Sequence, residues 1–454
     1  MTTRNPGPGC QLLQLDNCRT KDLADPTPPR AVAGAELGEA LTNALLGTRA
    51  AGRPAALLVC QVTDYEDLVE TFGEEFGSAL VTELGRRLGS CLRRKDVIQQ
   101  TGSAEFAIAP TGIKNRDDVN ALTRRINESA TGPYDEGEYS APIKLAIGMA
   151  HYPIDTDEID ELLRFARIAL RDNKLSGQGY GAFTPELLHS KQHKFWMEAE
   201  LERALLEERF VLQYQPQYAV GSREILSVEA LVRLVTESGE FIPPNDFIPA
   251  AEENGLIVPL GEWVMKEACR QLAQWRSEGC DLQRVAVNVS PRQLLDSQFM
   301  RIVDEAVTAA GLDYEDLELE ITEQCMVERT SAVENALGKL NRKGVRVAID
   351  DFGTGYSSFA YLAWQPLDII KMDRSFLARV NADPRIDKVV TAMIAMAREL
   401  GLEIVAEGVE TAEQEQFLLD KGCDMAQGFG LARPQDAEAI QALLLESSYL
   451  SAAC

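Results

Sequence analysis

The sequence predicts an α/β protein whose C-terminal part is a (β/α) TIM-like barrel, preceded by a smaller α/β domain. Three observations predict this. From Phe210 to about residue 446, short apolar or β-branched runs alternate with helix-length amphipathic stretches, the pattern of strands joined by crossover helices. Nearly every one of those runs finishes in an acid, an amide or a lysine, as expected where strand ends converge on one rim. The chain of 454 residues is also long enough for two or three domains, each with its own core. A doubly wound sheet would share the alternation, but its unbroken length favours the barrel. No short-period repeat is visible.

The elements follow in order. Residues 1–34 carry "NPGPG" and "DPTPP", which break regular structure and leave little apolar surface, so they read as a mobile arm. Residues 35–184 form the first domain. It opens on a short helix, "GEALTNALLG", continues into a buried strand, "AALLVCQV", and then a helix, "GSALVTELGRRLGSCLR". "EFAIAPT" and "IKLAIGMAHYP" are further strands and "EIDELLRFARIALRDNK" another helix. Residues 185–209, with a proline at the start and no glycine inside, read as a stiff helical connector. Within 210–446, "FVLQYQPQY" and "EILSVEALVRL" are joined at "AVGSR" as a hairpin. "VAVNV", "LELEIT", "VRVAI", "DIIKM", "EIVAE" and "MAQGF" are the strands that follow.

Composition narrows the function classes. Forty-five Lys and Arg stand against 71 Asp and Glu, a formal charge of −26. A nucleic-acid polymer is therefore a poor partner, since its binding rests on clustered cations. A small anionic ligand is still allowed, because a bound divalent cation reverses the local field. No apolar run approaches the roughly 20 residues of a membrane span, and the N-terminus lacks the features of a signal peptide. Nine cysteines, with no C-x-x-C pair, argue against a disulfide framework and for reduced thiols in a cytoplasm.

The chemistry gathers at the strand ends. Glu229 lies in "SVEALVRL", Asn288 ends "VAVNVS", and Glu320 and Glu323 close "LELEITE". Asp350 and Asp351 end "VRVAIDD", Lys371 closes "DIIK", Glu407 ends "EIVAE" and Gln427 sits in "AQG". A lone acid after a strand is commonly an N-cap for the next helix. That explanation would have to hold at seven consecutive strand ends. Carboxylates converging on one rim repel one another, yet they are good oxygen ligands for Mg²⁺ or Mn²⁺. Two such ions bridged by a carboxylate form a clamp for phosphoester hydrolysis. Cations of this kind would let the neighbours Asp350 and Asp351 tolerate each other. At the strand end the chain is expected to be turning already, so their side chains need not oppose.

Residues 205–445 resemble the EAL domain, a (β/α) barrel that hydrolyses cyclic di-GMP to linear pGpG. The resemblance rests on "YQPQY", "EALVRL", "NVS", "ELEITE", "DDFGTGYSS", "LDIIKMDRSF", "VAEGVET" and "QGFGLARP", in order and at the family's spacing. It implies two Mg²⁺ or Mn²⁺ ions held by Glu229, Asn288, Glu320, Asp350 and Asp351. It implies that Lys371 positions the attacking water, that Glu407 assists near the second ion, and that Glu323 tethers the glycine-rich loop. Gln215, Arg233 and Gln427 would contact the dinucleotide, Arg233 by bidentate phosphate binding. Self-association as a homodimer around "GYSSFAYL" is a further implication. No position in this set departs from the family pattern.

Residues 50–184 resemble a GGDEF domain, the diguanylate cyclase module, but with the signature lost. "GSAEF", Gly102 to Phe106, stands in its place, so Ser103 replaces a glycine and Ala104 an acid. The family's metal-binding acids correspond to Gln61 and Thr63, and its guanine-reading residues to Val69 and Glu70. The resemblance therefore implies a regulatory or dimerising module without cyclase activity. Arg93 and Asp96, five residues before "GSAEF", match the spacing of the family's inhibitory product site; a plain surface Arg–Asp pair is the competing reading. The expectation for the whole is a cyclic di-GMP phosphodiesterase. The alternatives are a cyclic di-GMP receptor that signals to a protein partner, and a scaffold that binds no nucleotide.

Overall fold

The computed structural model describes residues 10–13, 31–32, 39–50, 54–137, 139–177, 179–327, 331–354, 362 and 366–452. The chain divides into two compact units, Met1–His193 and Lys194–Cys454.

In the first unit a seven-stranded sheet is made from β1 (Cys10–Leu13), β2 (Ala31–Val32), β3 (Ala55–Val62), β4 (Val97–Gln100), β5 (Glu105–Ala109), β8 (Leu145–Tyr152) and β9 (Tyr180–Ala182), in the order β2-β1-β4-β5-β3-β8-β9. A separate hairpin comprises β6 (Gly132–Glu136) and β7 (Tyr139–Ile143). Two pieces of the N-terminal arm thus enter the sheet, β1 pairing with both β2 and β4. The rest of the arm lies outside the described residues. The strand β3 is apolar except for Gln61 because both its faces are covered. Ala56, Leu58 and Cys60 pack with Leu80 and Leu84, while Leu57 and Val59 pack with Leu162 and Ala166. Gly148 on β8 lets the helix Ile159–Ser176 lie against the sheet; a Cβ there would stand 2.0 Å from the Ala166 carbonyl oxygen.

The "GSAEF" segment makes the turn between β4 and β5, closed by the Thr101 amide donating to the Glu105 carbonyl at 2.8 Å. Ala104 is buried in the core. The Glu105 carboxylate is bound by Arg167 at 2.7 Å and by the Thr101 hydroxyl at 2.7 Å.

The connector is the helix Pro185–Leu206, which begins in the first unit and ends in the second. Eight strands then close a barrel: β10 (Phe210–Ala219), β11 (Ile225–Val235), β13 (Arg284–Asn288), β14 (Leu317–Thr322), β15 (Arg346–Phe352), β16 (Ile369–Met372), β17 (Glu403–Glu407) and β18 (Met425–Gln427). A short β12 (Phe241–Ile242) pairs antiparallel beside the end of β11. The barrel strands β11 and β13 to β18 run parallel, but β10 is antiparallel to both its neighbours, β11 and β18. The barrel is therefore not wholly parallel, because the expected hairpin reverses its first strand.

Period-two alternation sorts the side chains. Leu317, Leu319 and Ile321 join the outer core, where Trp275, Phe247 and the surrounding helices pack. Glu318 and Glu320, between them, are buried inside. Below the rim an inner apolar cluster of Ala348, Ile369, Val405 and Met425 fills the barrel. Beneath it Arg284 bridges Glu318 at 2.8 Å and Glu403 at 2.7 Å. Cys60, Cys91, Cys269, Cys280, Cys325 and Cys423 are buried free thiols. No helix among the described residues is long and apolar enough to cross a membrane.

Candidate active site

Each of the parallel strands delivers its last inward residue to one end of the barrel. Lys371, 1% exposed, is the hub. Its Nζ donates to Glu320 at 2.6 Å and lies 2.9 Å from Glu407, 3.2 Å from Asp350 and 3.5 Å from Glu229. Burial alone would strip its proton. Asp350, Glu229, Glu320 and Glu407 outweigh burial and hold its pKa well above the usual lysine range.

The carboxylates divide by their partners. Burial pushes Glu229 up, but Lys371 and the amides of Gln427 and Asn288 prevail and hold it below the ordinary range. Those amides donate to it at 2.7 Å each. Glu320 is pushed well up, by burial first and by Glu229 beside it. Its Oε1 is buried with no hydrogen-bond partner. Glu407 is raised to about 7, chiefly by burial.

Asp350 and Asp351 meet through a bulge. The strand β15 does not end at Asp351 as expected but continues to Phe352, with its register against β16 shifting between Ile349 and Phe352. Asp351 takes a left-handed φ of +55° to make that shift. Ligand oxygens of Asp350, Asp351 and Glu407 then all lie within 4.8 Å of one another. Glu323 accepts a hydrogen bond from the Gly353 amide at 2.9 Å. The segment expected to mediate self-association, "GYSSFAYL", lies outside the described residues except for Leu362.

Gln215 faces Glu229 across the antiparallel pair. The Gln427 side-chain nitrogen donates to Gln215 at 2.9 Å, and its oxygen accepts from Gln217 at 3.0 Å. Its amide is thus engaged within the protein at both ends and holds Glu229 in place. Sequence reasoning passed over Gln217 and its partner Ser227, both fully buried. The signal was present, since Gln217 is two residues from Gln215 and shares its face. Arg233 donates from Nε to Gln213 at 2.9 Å. It lines a cavity of about 820 Å³ together with Asn245, Pro249, Glu252, Asp350 and Asp351. Sequence reasoning passed over the helix Pro244–Asn254, which forms one wall, although Pro244 at its start and Gly255 just past its end mark its bounds.

Arg93 and Asp96 are in the first unit. The Asp96 carboxylate accepts from the Arg93 amide at 2.7 Å, the Thr111 amide at 2.8 Å and the Thr111 hydroxyl at 3.0 Å. Arg93 itself is exposed and borders a cavity of about 540 Å³ with Arg94 and Lys95.

The chain matches the EAL domain over residues 198–434 and the diguanylate cyclase, GGDEF domain over residues 34–179. It is 34% identical over 379 residues to the cyclic di-GMP phosphodiesterase PdeR of Escherichia coli, covering 83% of this chain and 57% of that protein. It is 34% identical over 435 residues to the bifunctional diguanylate cyclase/cyclic di-GMP phosphodiesterase MucR of Pseudomonas aeruginosa, covering 95% of this chain and 62% of that one. It thus spans little more than half the length of these relatives. Among solved structures, the PaMucR phosphodiesterase in complex with c-di-GMP is 40% identical, with a TM-score of 0.52 over 54% of this chain and 99% of that one. Its matched barrel and the order of the rim residues lead to one assignment: this chain belongs to the EAL domain family, with a GGDEF domain preceding its EAL domain.

Proposed function

We infer that the chain is a metal-dependent phosphodiesterase that hydrolyses cyclic di-GMP to linear pGpG. The observation that carries this reading is the set of five carboxylates, Glu229, Glu320, Asp350, Asp351 and Glu407, gathered around or beside one buried lysine. Their chemistry fits divalent cations. The donors are hard oxygens, Asp350, Asp351 and Glu407 already lie within ligand reach of one another, and Glu320 keeps a buried oxygen without a partner. Glu229, Asn288, Glu320, Asp350 and Asp351 would hold two Mg²⁺ or Mn²⁺ ions, with Glu407 beside the second. When bound, the ions supply Lewis acidity and neutralise charge on the phosphoryl oxygens.

The protein's own groups do the rest. Arg233, at the cavity wall, binds a phosphate of the dinucleotide. Lys371 keeps its positive charge in an enclosed site, where it orients the attacking water and stabilises the growing negative charge. Gln427 and Asn288 fix the Glu229 carboxylate, and Gln215 faces the substrate beside it. Glu323 holds the turn after Asp351 and so keeps the bulged pair in register.

The GGDEF domain is read as a module without cyclase activity. Ala104 is buried where the family has an acid, and Glu105 is spent on Arg167. Arg93 and Asp96 are read as a capped turn whose exposed arginine borders a basic cavity, the arrangement in which a regulatory nucleotide would be met. Homodimerisation through the EAL domain and action in the cytoplasm belong to the same proposal.

The test is turnover of cyclic di-GMP to pGpG by the full chain with Mg²⁺ or Mn²⁺, beside Glu229→Ala and an EDTA-treated sample, with GTP offered separately. Turnover abolished in both controls, with no cyclic product from GTP, is the expected result. Binding of cyclic di-GMP without turnover would favour the receptor instead.

A further inference from the structure

The loop that follows β18, "GFGLARP", places an aromatic ring on the rim in a way the catalytic set does not use. Phe429 is 54% exposed, which is unusual for a phenylalanine. It is not a loosely displayed side chain. A Cβ on Gly428 would stand 2.2 Å from the Val409 amide nitrogen and carbonyl oxygen, and one on Gly430 would stand 2.5 Å from the Glu410 carbonyl oxygen. The two glycines therefore seat the loop directly on the backbone of 409–410, with Phe429 between them. Backbone hydrogen bonds fix the seat: Val409 donates to Gln427 at 3.1 Å and Gly430 donates to Val409 at 2.8 Å. The far end is tied to β10, where Gln215 donates to the Ala432 carbonyl at 3.0 Å and Tyr214 donates to Gln435 at 2.7 Å. The Arg433 guanidinium lies 4.6 Å from the centre of the Phe429 ring.

A ring on so firmly seated a backbone, exposed and backed by a guanidinium, is a platform for a flat π-system. Its place along the chain is also close to the rim. Phe429 is two residues past Gln427, whose amide touches Glu229 at 2.7 Å. Two residues span at most about 7 Å of chain, comparable to the reach from a phosphate to its own nucleobase. We propose that Phe429, steadied by Arg433, stacks one purine base of the substrate and so sets its affinity. The proposal rests on the reading of the rim as a cyclic dinucleotide site. Stacking accepts any base, so the platform gives binding rather than selection of guanine.

The experiment compares wild-type full chain with Phe429→Ala, Phe429→Leu and Phe429→Tyr on cyclic di-GMP, reading KM and kcat separately, and Kd by calorimetry if wild type binds without turnover. Phe429 is exposed, and matched thermal transitions verify that each variant folds. Phe429→Ala is expected to raise KM, or Kd, by about 5- to 150-fold, the worth of one base on an aromatic ring, with kcat within about twofold. Phe429→Tyr should stay near wild type and Phe429→Leu should behave as Phe429→Ala. An unchanged KM in Phe429→Ala, a loss confined to kcat, or full rescue by Phe429→Leu would each overturn the platform while leaving the phosphodiesterase reading intact. A wild type that neither binds nor cleaves cyclic di-GMP would overturn both.

Discussion

Lys371 offers the sharpest test of how the rim holds together. Lys371→Met keeps most of the side chain's volume and removes its charge. Glu320, Glu407 and Asp350 then face one another at the positions where they contacted Nζ at 2.6, 2.9 and 3.2 Å. Removing one partner of a buried ion pair leaves an uncompensated charge and costs about 3–5 kcal/mol. For a domain of this size that corresponds to a fall of roughly 6–20 °C in Tm. The sign of its pH dependence follows. Without the lysine, the buried carboxyls of Glu320 and Glu407, already raised by burial, take up protons in the folded state at a pH above their unfolded pKa. Their folded form is then best tolerated below that pKa and loses stability as pH rises. The gap between variant and wild type should therefore be widest near neutrality and narrow towards about pH 4–5. The assay is thermal unfolding in EDTA followed by tryptophan fluorescence. All four tryptophans, Trp196, Trp263, Trp275 and Trp364, fall in the second unit, so the signal reports that unit alone. A variant that melts with wild type at pH 7, or whose deficit grows on acidification, refutes the account of Lys371 as the cation that assembles the site.

Further outcomes follow from packing and from the other charges. Gly428→Ala should cost about 1–3 kcal/mol in the same fluorescence assay, because its Cβ meets Val409 backbone atoms at 2.2 Å and backbone gives way poorly. Trp275→Phe loses the indole donor to the Ala437 carbonyl, made at 3.2 Å, and should cost about 1 kcal/mol in that assay. In the first unit, the hydrogen bond from Arg86, with Arg87 adding, holds Glu83 at about 2, below its ordinary 4.5. Its stabilisation is present above the unfolded pKa and lost as pH falls through the folded one. Glu83→Gln should thus cost a few tenths of a kcal/mol at pH 7, reduced because Arg86 is well exposed, and the difference should vanish on acidification, read by far-UV circular dichroism. Burial raises the thiols of Cys269 and Cys423 to about 12, so peptides bearing them should escape alkylation at pH 8 in the native protein. Modification at the native rate of a free thiol would contradict that burial.

How far the sequence could be read depended on whether a feature was local. The barrel strands were legible because alternation is a property of neighbours along the chain, and the rim residues because each ends its own strand. Glu320 could be placed inside from Leu319 and Ile321 alone. What was not legible depends on register between strands. The bulge at Asp351 is visible only once β15 is laid against β16, and the expectation of a turn in its place followed from that. The double use of Gln427 likewise needs Gln215, Gln217 and Glu229 brought from distant segments. In the first domain, the loss of "GGDEF" was plain from the letters. That Glu105 is occupied by Arg167 required a contact across 62 positions of chain.

The reversed first strand also decides where the polypeptide enters the barrel. Phe210 pairs with Leu234, near the end of β11 that carries Arg233. The chain therefore arrives at the end of the barrel that carries the rim residues rather than at the opposite floor. Three residues lie between Leu206 and Phe210, and Gln215 follows five residues later. Arg209, in that short passage, is anchored to Glu200 on the helix at 2.6 Å and to the Val235 carbonyl on β11 at 2.9 Å. A twist or pull applied to the connector would thus act on the strand that carries Gln215 through a few residues of stiff, pinned chain. The direction of a single strand has put a mechanical handle beside the chemistry.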